Sequence, residues 1–253
     1  MKILRKAVFG SLVGLALLPV GLLAMWALGE GWHFPRLWPK RWSSIAFSQL
    51  FSGKMGESLW LSAWISTCVA VFATTFGYIT GHFVSHHPRK KWLLRLAYLP
   101  FVSSPVILAT CLLFLFIKIH LVGTILGVIL AQWMFAFSFA IVFFVPFWSP
   151  QMKSIEELVY TLGGTPFEAI RHVLWPMSIA ALRMCFFQTF LISWVQYGIT
   201  LMVGAGEVQT LPVLVYFYVN EANITFAAMA SLVLMLPAFI LMLVNRRDVW
   251  RGQ

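Results

Sequence analysis

Residues 154–176 read SIEELVYTLGGTPFEAIRHVLWP, a polar interruption between two of the longest apolar runs in the chain. Ser154 and Glu157 stand at the spacing of a capping box, and Thr165 and Glu168 repeat it, so the stretch spells two short helices, each with its own start. Ile155, Leu158, Val159 and Leu162 fall at i, i+3, i+4 and i+7, which gives the first helix an apolar face and leaves Glu156 and Tyr160 on another. Gly163 and Gly164 tolerate positive φ and end it. Pro166 takes the first position of the second helix, where its missing N–H costs nothing, and Phe167, Ile170 and Leu174 form an apolar edge. Pro176 marks the end of that helix, or a bend into the next apolar run.

The runs around this stretch decide the class. The chain is 60% hydrophobic and 10% charged, with a mean hydropathy of +0.86. That is polytopic membrane usage rather than the composition of a soluble domain. A helix rising about 1.5 Å per residue needs roughly 20 apolar residues to cross a bilayer core. Six runs come near that length: Ala7 to Leu28, Ser58 to Thr80, Leu96 to Lys118, Val122 to Phe147, Met177 to Val203 and Asn223 to Val244. The expectation is an all-α membrane protein, one transmembrane domain over residues 1–253, with six helices and the polar stretch lying between helices four and five. Six spans leave no room for a soluble catalytic domain. Lys2, Arg5 and Lys6 could open a secretory signal peptide, but the apolar run that follows is too long and no small-x-small cleavage site precedes Glu30, so it reads as a retained helix. Cys68, Cys111 and Cys185 all fall inside apolar spans, where a thiol behaves as a small hydrophobe, and no pair has metal-ligand spacing.

A net charge of +10 would suggest nucleic acid in a soluble protein, so the placement of the charges has to decide. With the N-terminus inside, the inner side holds Lys2, Arg5, Lys6, Arg89, Lys90, Lys91, Arg95, Lys153, Arg171, Arg183, Arg246, Arg247 and Arg251, thirteen of the eighteen Lys and Arg residues. Arg36, Lys40, Arg41, Lys54 and Lys118 remain outside. The basic balance is therefore a topology signal and not a nucleic-acid footprint, and it puts both termini and residues 154–176 on the cytoplasmic side of the membrane.

Between the spans the polar residues are sparse. Trp32, Phe34, Trp38 and Trp42, with Pro35 and Pro39, make a loop suited to the outer headgroup level. His82, His86 and His87 invite a metal reading, but no carboxylate or thiol lies nearby in sequence and Arg89, Lys90 and Lys91 repel a further cation, so a basic loop is expected and no metal. Pro100 and Pro105 break or kink the third span. Gly123 and Gly127 form a small-xxx-small pair that would admit a neighbouring helix. In the fifth span, Gln188, Thr189, Ser193, Gln196 and Tyr197 are polar at membrane depth. Of these, Gln188, Ser193, Gln196 and Tyr197 are candidates for a translocation path, in competition with plain interhelical hydrogen bonding. Gly204 and Gly206 permit a turn, after which Thr210-Leu211-Pro212 restarts the chain.

The stretch as a whole resembles the integral-membrane permease subunits of type I ABC importers. Their cytoplasmic motif runs Glu-Ala-Ala, then Gly six residues after the Glu, an aliphatic residue ten further on, and Pro three after that. Glu157, Gly163, Val173 and Pro176 keep those spacings, with Leu158 and Val159 in place of the two small residues and Leu162 where an Asp is common. The resemblance continues through FQTFLISWVQYGITLMVGAGEVQTLPVLVYFYV and covers roughly the last four fifths of the chain. Its C-terminal half looks most like permeases of the iron, thiamine, polyamine and phosphonate branch. The family often has an acid where Gln196 stands.

The resemblance implies a non-catalytic transport subunit. Glu157, Gly163, Gly164, Thr165, Pro166, Phe167, Glu168, Ile170, Arg171 and Pro176 would couple it to a peripheral ATPase. The implied partners are two ATPase copies, a second permease, identical or homologous, an extracytoplasmic substrate-binding protein and membrane lipid. The chain has no Walker-type loop of its own, so ATP and magnesium would sit on the ATPase and no cofactor on this chain. The rival class is an ion-driven secondary transporter, which would normally want carboxylates within its spans, and none of the eight acidic residues lies centrally in one. A membrane enzyme would need a catalytic constellation beyond the three histidines.

Overall fold

A computed structural model describes residues 2–30, 39–42, 45–48, 50–51, 53–87 and 92–249. Most of the aromatic loop, Trp32 to Trp38, lies outside them, as do Arg89, Lys90, Lys91 and Arg251. The described chain is almost all helix. By length and apolar composition, Gly53–His86, Ile125–Phe147 and Pro166–Trp194 are long enough to cross a bilayer, and shorter apolar helices accompany them. Backbone contacts divide the chain into two compact units, residues 1–62 with 209–253, and residues 63–208.

In the first unit, α1 (Lys2–Leu28) packs along α12 (Ile224–Val249), which also packs along α11 (Leu211–Asn220). After α1 the strand β1 (Gly29–Glu30) pairs antiparallel with β2 (Arg41–Trp42), and the one-turn helix α2 (Ile45–Ser48) follows. The Thr225 hydroxyl donates to the Gly29 carbonyl at 2.9 Å, and the Leu211 N–H donates to the Ser62 hydroxyl at 2.6 Å. That second bond satisfies one of the orphan amides at the start of α11, where the Pro212 ring removes another.

The second unit holds the polar stretch. It contains most of α3 (Gly53–His86), then α4 (Trp92–Val102) and α5 (Pro105–Lys118). Pro105 breaks the third apolar run as its sequence suggests, while Pro100 stays inside α4. Next comes α6 (Ile125–Phe147), capped by the Thr124 hydroxyl, which accepts from the Gly127 N–H at 3.0 Å.

The close helix approach falls on other glycines than the pair expected. A Cβ at Gly77 would lie 2.4 Å from the Ala140 Cβ, and one at Gly81 would lie 2.8 Å from the Phe144 Cβ, so α3 and α6 touch through this four-residue step. Gly123 instead lies in the turn before α6 and Gly127 in the helix's first turn. Gly123 has φ +75°, and a Cβ on Gly127 would run into the Leu121 carbonyl oxygen.

Beyond α6 lie α7 (Pro150–Thr161), α8 (Pro166–Glu168), a π-helical segment over Ala169–Leu174, and α9 (Trp175–Trp194). The helix then stops at Val195, and α10 (Gly198–Gly204) follows after residues 195–197. The fifth apolar run is thus two helices.

Candidate functional site

The first of the two polar helices starts four residues before its expected capping box. Pro150 occupies its first turn and Ser149 its cap position, because a proline there loses only an N–H that would be unpaired anyway. Ser154 consequently sits within α7, and its hydroxyl donates back to the Pro150 carbonyl at 3.0 Å. Glu157 caps nothing. It is exposed and 4.0 Å from Lys153, one turn away.

The turn and the second start are as the sequence spells them. The Gly163 N–H bonds the Tyr160 carbonyl at 3.0 Å and the Gly164 N–H bonds the Val159 carbonyl at 2.9 Å, a Schellman closure with Gly163 at φ +83°. At Gly164 a Cβ would lie 2.6 Å from Val159 Cγ1 and 2.9 Å from the Val159 carbonyl oxygen, so both glycines are required for different reasons. Thr165 and Glu168 close a full capping box. The Thr165 N–H donates to Glu168 Oε2 at 2.8 Å, and the Glu168 N–H donates to the Thr165 hydroxyl at 3.3 Å. The Thr165 N–H, followed by its hydroxyl, holds the Glu168 carboxyl below the usual carboxylate range.

Pro176 ends nothing. Residues 166–194 run as one 29-residue helix. The turn before the proline is π-helical, with the Trp175 N–H reaching the Ile170 carbonyl. A wider turn accommodates a ring that has no N–H to give and would crowd the carbonyl four residues back. The polar stretch therefore continues without a break into α9. Arg171 lies with its guanidinium 5.9 Å from the Phe167 ring.

Burial follows the expected amphipathicity only in part. Ile155 and Val159 are half-buried and Leu174 is buried, but Leu158, Leu162, Phe167 and Ile170 are exposed, Leu162 at 80%, whereas Glu156 is only 6% exposed. The reason is His82 and His86, whose side chains lie one above the other at the end of α3. Glu156 Oε2 lies 3.2 Å from His82 Nε2 and 3.1 Å from His86 Nε2, and Oε1 accepts from the Tyr160 hydroxyl at 2.8 Å. Burial pushes the Glu156 carboxyl upward, but the Tyr160 hydrogen bond, the His82 hydrogen bond and the charges of both imidazoles outweigh it and leave the group below its ordinary value. The same contact with Glu156 raises the Tyr160 phenol.

No carboxylate stands near the histidines in sequence, and the one they meet, Glu156, comes 74 positions after His82. An i, i+4 histidine pair on a helix end, and Glu156 one turn before Tyr160, are the local signals. Nothing in the sequence joins them.

Further contacts lock this junction. The Trp148 indole N–H donates to the Tyr78 carbonyl at 3.3 Å, and the Trp148 ring meets His82 edge-on at 4.5 Å. The Ser178 hydroxyl donates to the Leu174 carbonyl at 2.6 Å, so Tyr78 supplies the proton of the 2.9 Å Tyr78–Ser178 bond. The ends of α3, α6, α7 and α9 are thereby pinned together around one polar knot.

Along α9 the candidate path residues separate. The Ser193 hydroxyl donates to Gln132 Oε1 on α6, whose amide nitrogen donates to Thr200 at 2.7 Å on α10. Ser193 thus lies in a buried interhelical network. Gln188 Oε1 is buried and finds no hydrogen-bond partner among the described residues. Gln196 and Tyr197 are half-buried in the break between α9 and α10, where the backbone itself leaves the helix.

Residues 73–249 match the family described as binding-protein-dependent transport system inner membrane component. Among curated proteins, the chain is 25% identical over 167 residues to PhnV of Salmonella choleraesuis, named as a 2-aminoethylphosphonate transport system permease protein, covering 65% of this chain and 63% of that one. It is 34% identical over 82 residues to PhnU of Salmonella typhi, named for the same transport system, covering 32% and 28%. It is 27% identical over 99 residues to the ferric transport system permease protein FbpB of Actinobacillus pleuropneumoniae, covering 39% and 14%. The chain spans less than two thirds of the length of each.

Proposed function

We propose that this chain, which belongs to the binding-protein-dependent transport system inner membrane component family, is the permease subunit of an ATP-driven importer and docks its ATPase through residues 150–176. The observation that carries the reading is the exposure of Leu158, Leu162, Phe167 and Ile170 on either side of the glycine turn, on a segment continuous with a 29-residue helix. Apolar side chains turned outward on a polar segment mark a surface that another protein covers. A groove on a peripheral ATPase that takes this surface could move α9 as a rigid body when it opens and closes.

In this reading the polar segment is cytoplasmic and the chain multi-pass in a bacterial inner membrane, with both termini inside. ATP and magnesium belong to two ATPase copies, a second permease completes the path, and an extracytoplasmic binding protein delivers the substrate. Gln188, Gln196 and Tyr197 are the path residues favoured by position. The names of the relatives point to phosphonate or iron cargo, with selectivity residing largely in the binding protein. The test is co-purification of the permease with its ATPase from detergent. The double substitution Leu162→Glu with Phe167→Glu should leave membrane insertion intact while releasing the ATPase and abolishing uptake. Retained ATPase and normal uptake in that variant would overturn the reading.

A further inference from the structure

His82, His86 and Glu156 bring three metal-ligating atoms within 4.8 Å of one another at the junction of α3 and α7. His86 Nδ1 lies 2.9 Å from the His82 carbonyl oxygen, which can only accept, so Nδ1 carries a proton. A neutral His86 then presents the Nε2 lone pair, and that lone pair faces Glu156 Oε2 at 3.1 Å. Two lone pairs at this distance repel unless a cation lies between them or one of the groups gains a proton. An imidazole whose Nδ1–H is tied to a backbone carbonyl has its tautomer and ring orientation fixed with Nε2 available as a ligand, as in metal-bound histidines.

We propose that His82 Nε2, His86 Nε2 and Glu156 Oε2 form a binding site for a divalent cation of the zinc type, pinning the end of α3 to α7. Imidazole and carboxylate are the donors that such borderline ions take, and three protein ligands leave a fourth position for water. With metal–ligand bonds of about 2.0–2.1 Å, the donors of a tetrahedral site stand about 3.3 Å apart. The two carboxylate–imidazole separations, 3.2 and 3.1 Å, are already there. The remaining adjustment is a rotation of the imidazoles that brings the two Nε2 atoms, which lie within 4.8 Å of one another, to that spacing. Glu156 Oε1 is held by Tyr160, which leaves Oε2 for the ion. A cleft of about 400 Å³ lined by Ser85, His86, Trp148 and Lys153 gives the fourth position its water and the ion its entry. The charge on Lys153 is turned toward Glu157, 4.0 Å away. The site is independent of what α7 docks against, so its test stands apart from that of the proposed function.

The full-length chain, purified in detergent, stripped with chelator and titrated with zinc, should bind one equivalent. Cobalt in its place should show the intense visible absorption of four-coordinate Co(II). His86→Ala and Glu156→Gln should each weaken zinc binding at least tenfold, and His87→Ala should leave it unchanged. His87 lies just past the end of α3, with its Nδ1 2.9 Å from the Phe83 carbonyl oxygen, outside the cluster. In the wild-type chain, zinc should also protect His82 and His86 from imidazole-directed acylation, a measurement that does not require the variants to fold. Absence of stoichiometric zinc binding, binding that survives both substitutions, or unprotected imidazoles would each overturn the proposal and leave the knot as an ion pair.

Discussion

Gly163 holds φ at +83°, and a Cβ built there meets nothing within 4 Å. The constraint is therefore in the backbone and not in the space around it. A β-branched residue at this φ costs roughly 1–2 kcal/mol, whereas asparagine visits the region readily. Gly163→Val is expected to leave membrane levels near normal while weakening ATPase attachment and abolishing uptake, and Gly163→Asn should recover much of both. The measurement is ATPase recovery with each purified variant beside transport in whole cells, and normal transport by Gly163→Val would deny the turn its role. Glu157→Lys should be milder, since Glu157 makes only an exposed pair with Lys153. At this scale the sequence was readable wherever the determinant is local. Thr165, Glu168 and the glycine turn need only their neighbours, and they stand as spelled. Ser154 and Glu157 fit the same pattern but lost to Ser149-Pro150, which starts the helix earlier. The burial of Glu156 is not legible locally, because its partners His82 and His86 come from a helix far away in sequence, a contact that no periodicity encodes.

Among the elements, the one with most consequence is the unbroken helix from Pro166 to Trp194. Sequence alone gave Pro176 as its end or a bend, since proline removes a hydrogen bond and crowds the preceding turn. The chain answers with a π turn over Ala169–Leu174 instead, which no short-range propensity predicts. The other proline, Pro105, does break its run, because it starts a new helix after the extended Ser104. Pro176→Ala restores an N–H able to bond the carbonyl four residues back, so the π turn can relax into regular helix. That change of one residue rotates everything before it by about 100° relative to α9. Phe167 and Ile170 would then present a different direction. The expected result is a variant at least as resistant to thermal unfolding in detergent as the wild type, yet with weaker ATPase attachment. If attachment is unchanged, the orientation of that edge does not matter to docking.

For the whole molecule, hydropathy and charge gave the class, and helices long and apolar enough to cross a bilayer bear it out. The ends of the spans were less legible. Helix α3 runs on to His86, six residues beyond its apolar run, because its last turns pack against Trp148 and Glu156 rather than lipid. The fifth run divides at residues 195–197, where the Gln132–Thr200 bond ties α10 to α6. Orientation is an expectation from the distribution of Lys and Arg alone, thirteen of eighteen falling inside if the N-terminus is inside. It is testable at Leu162, which is 80% exposed and lies just beyond the last turn of α7. Leu162→Cys, in a chain whose three native cysteines are replaced, should react with a membrane-impermeant maleimide only after the inner face is opened. Reaction in intact cells would place the segment outside. An ATPase fed by cytoplasmic ATP could not then reach it, and both the topology and the docking surface would fall together.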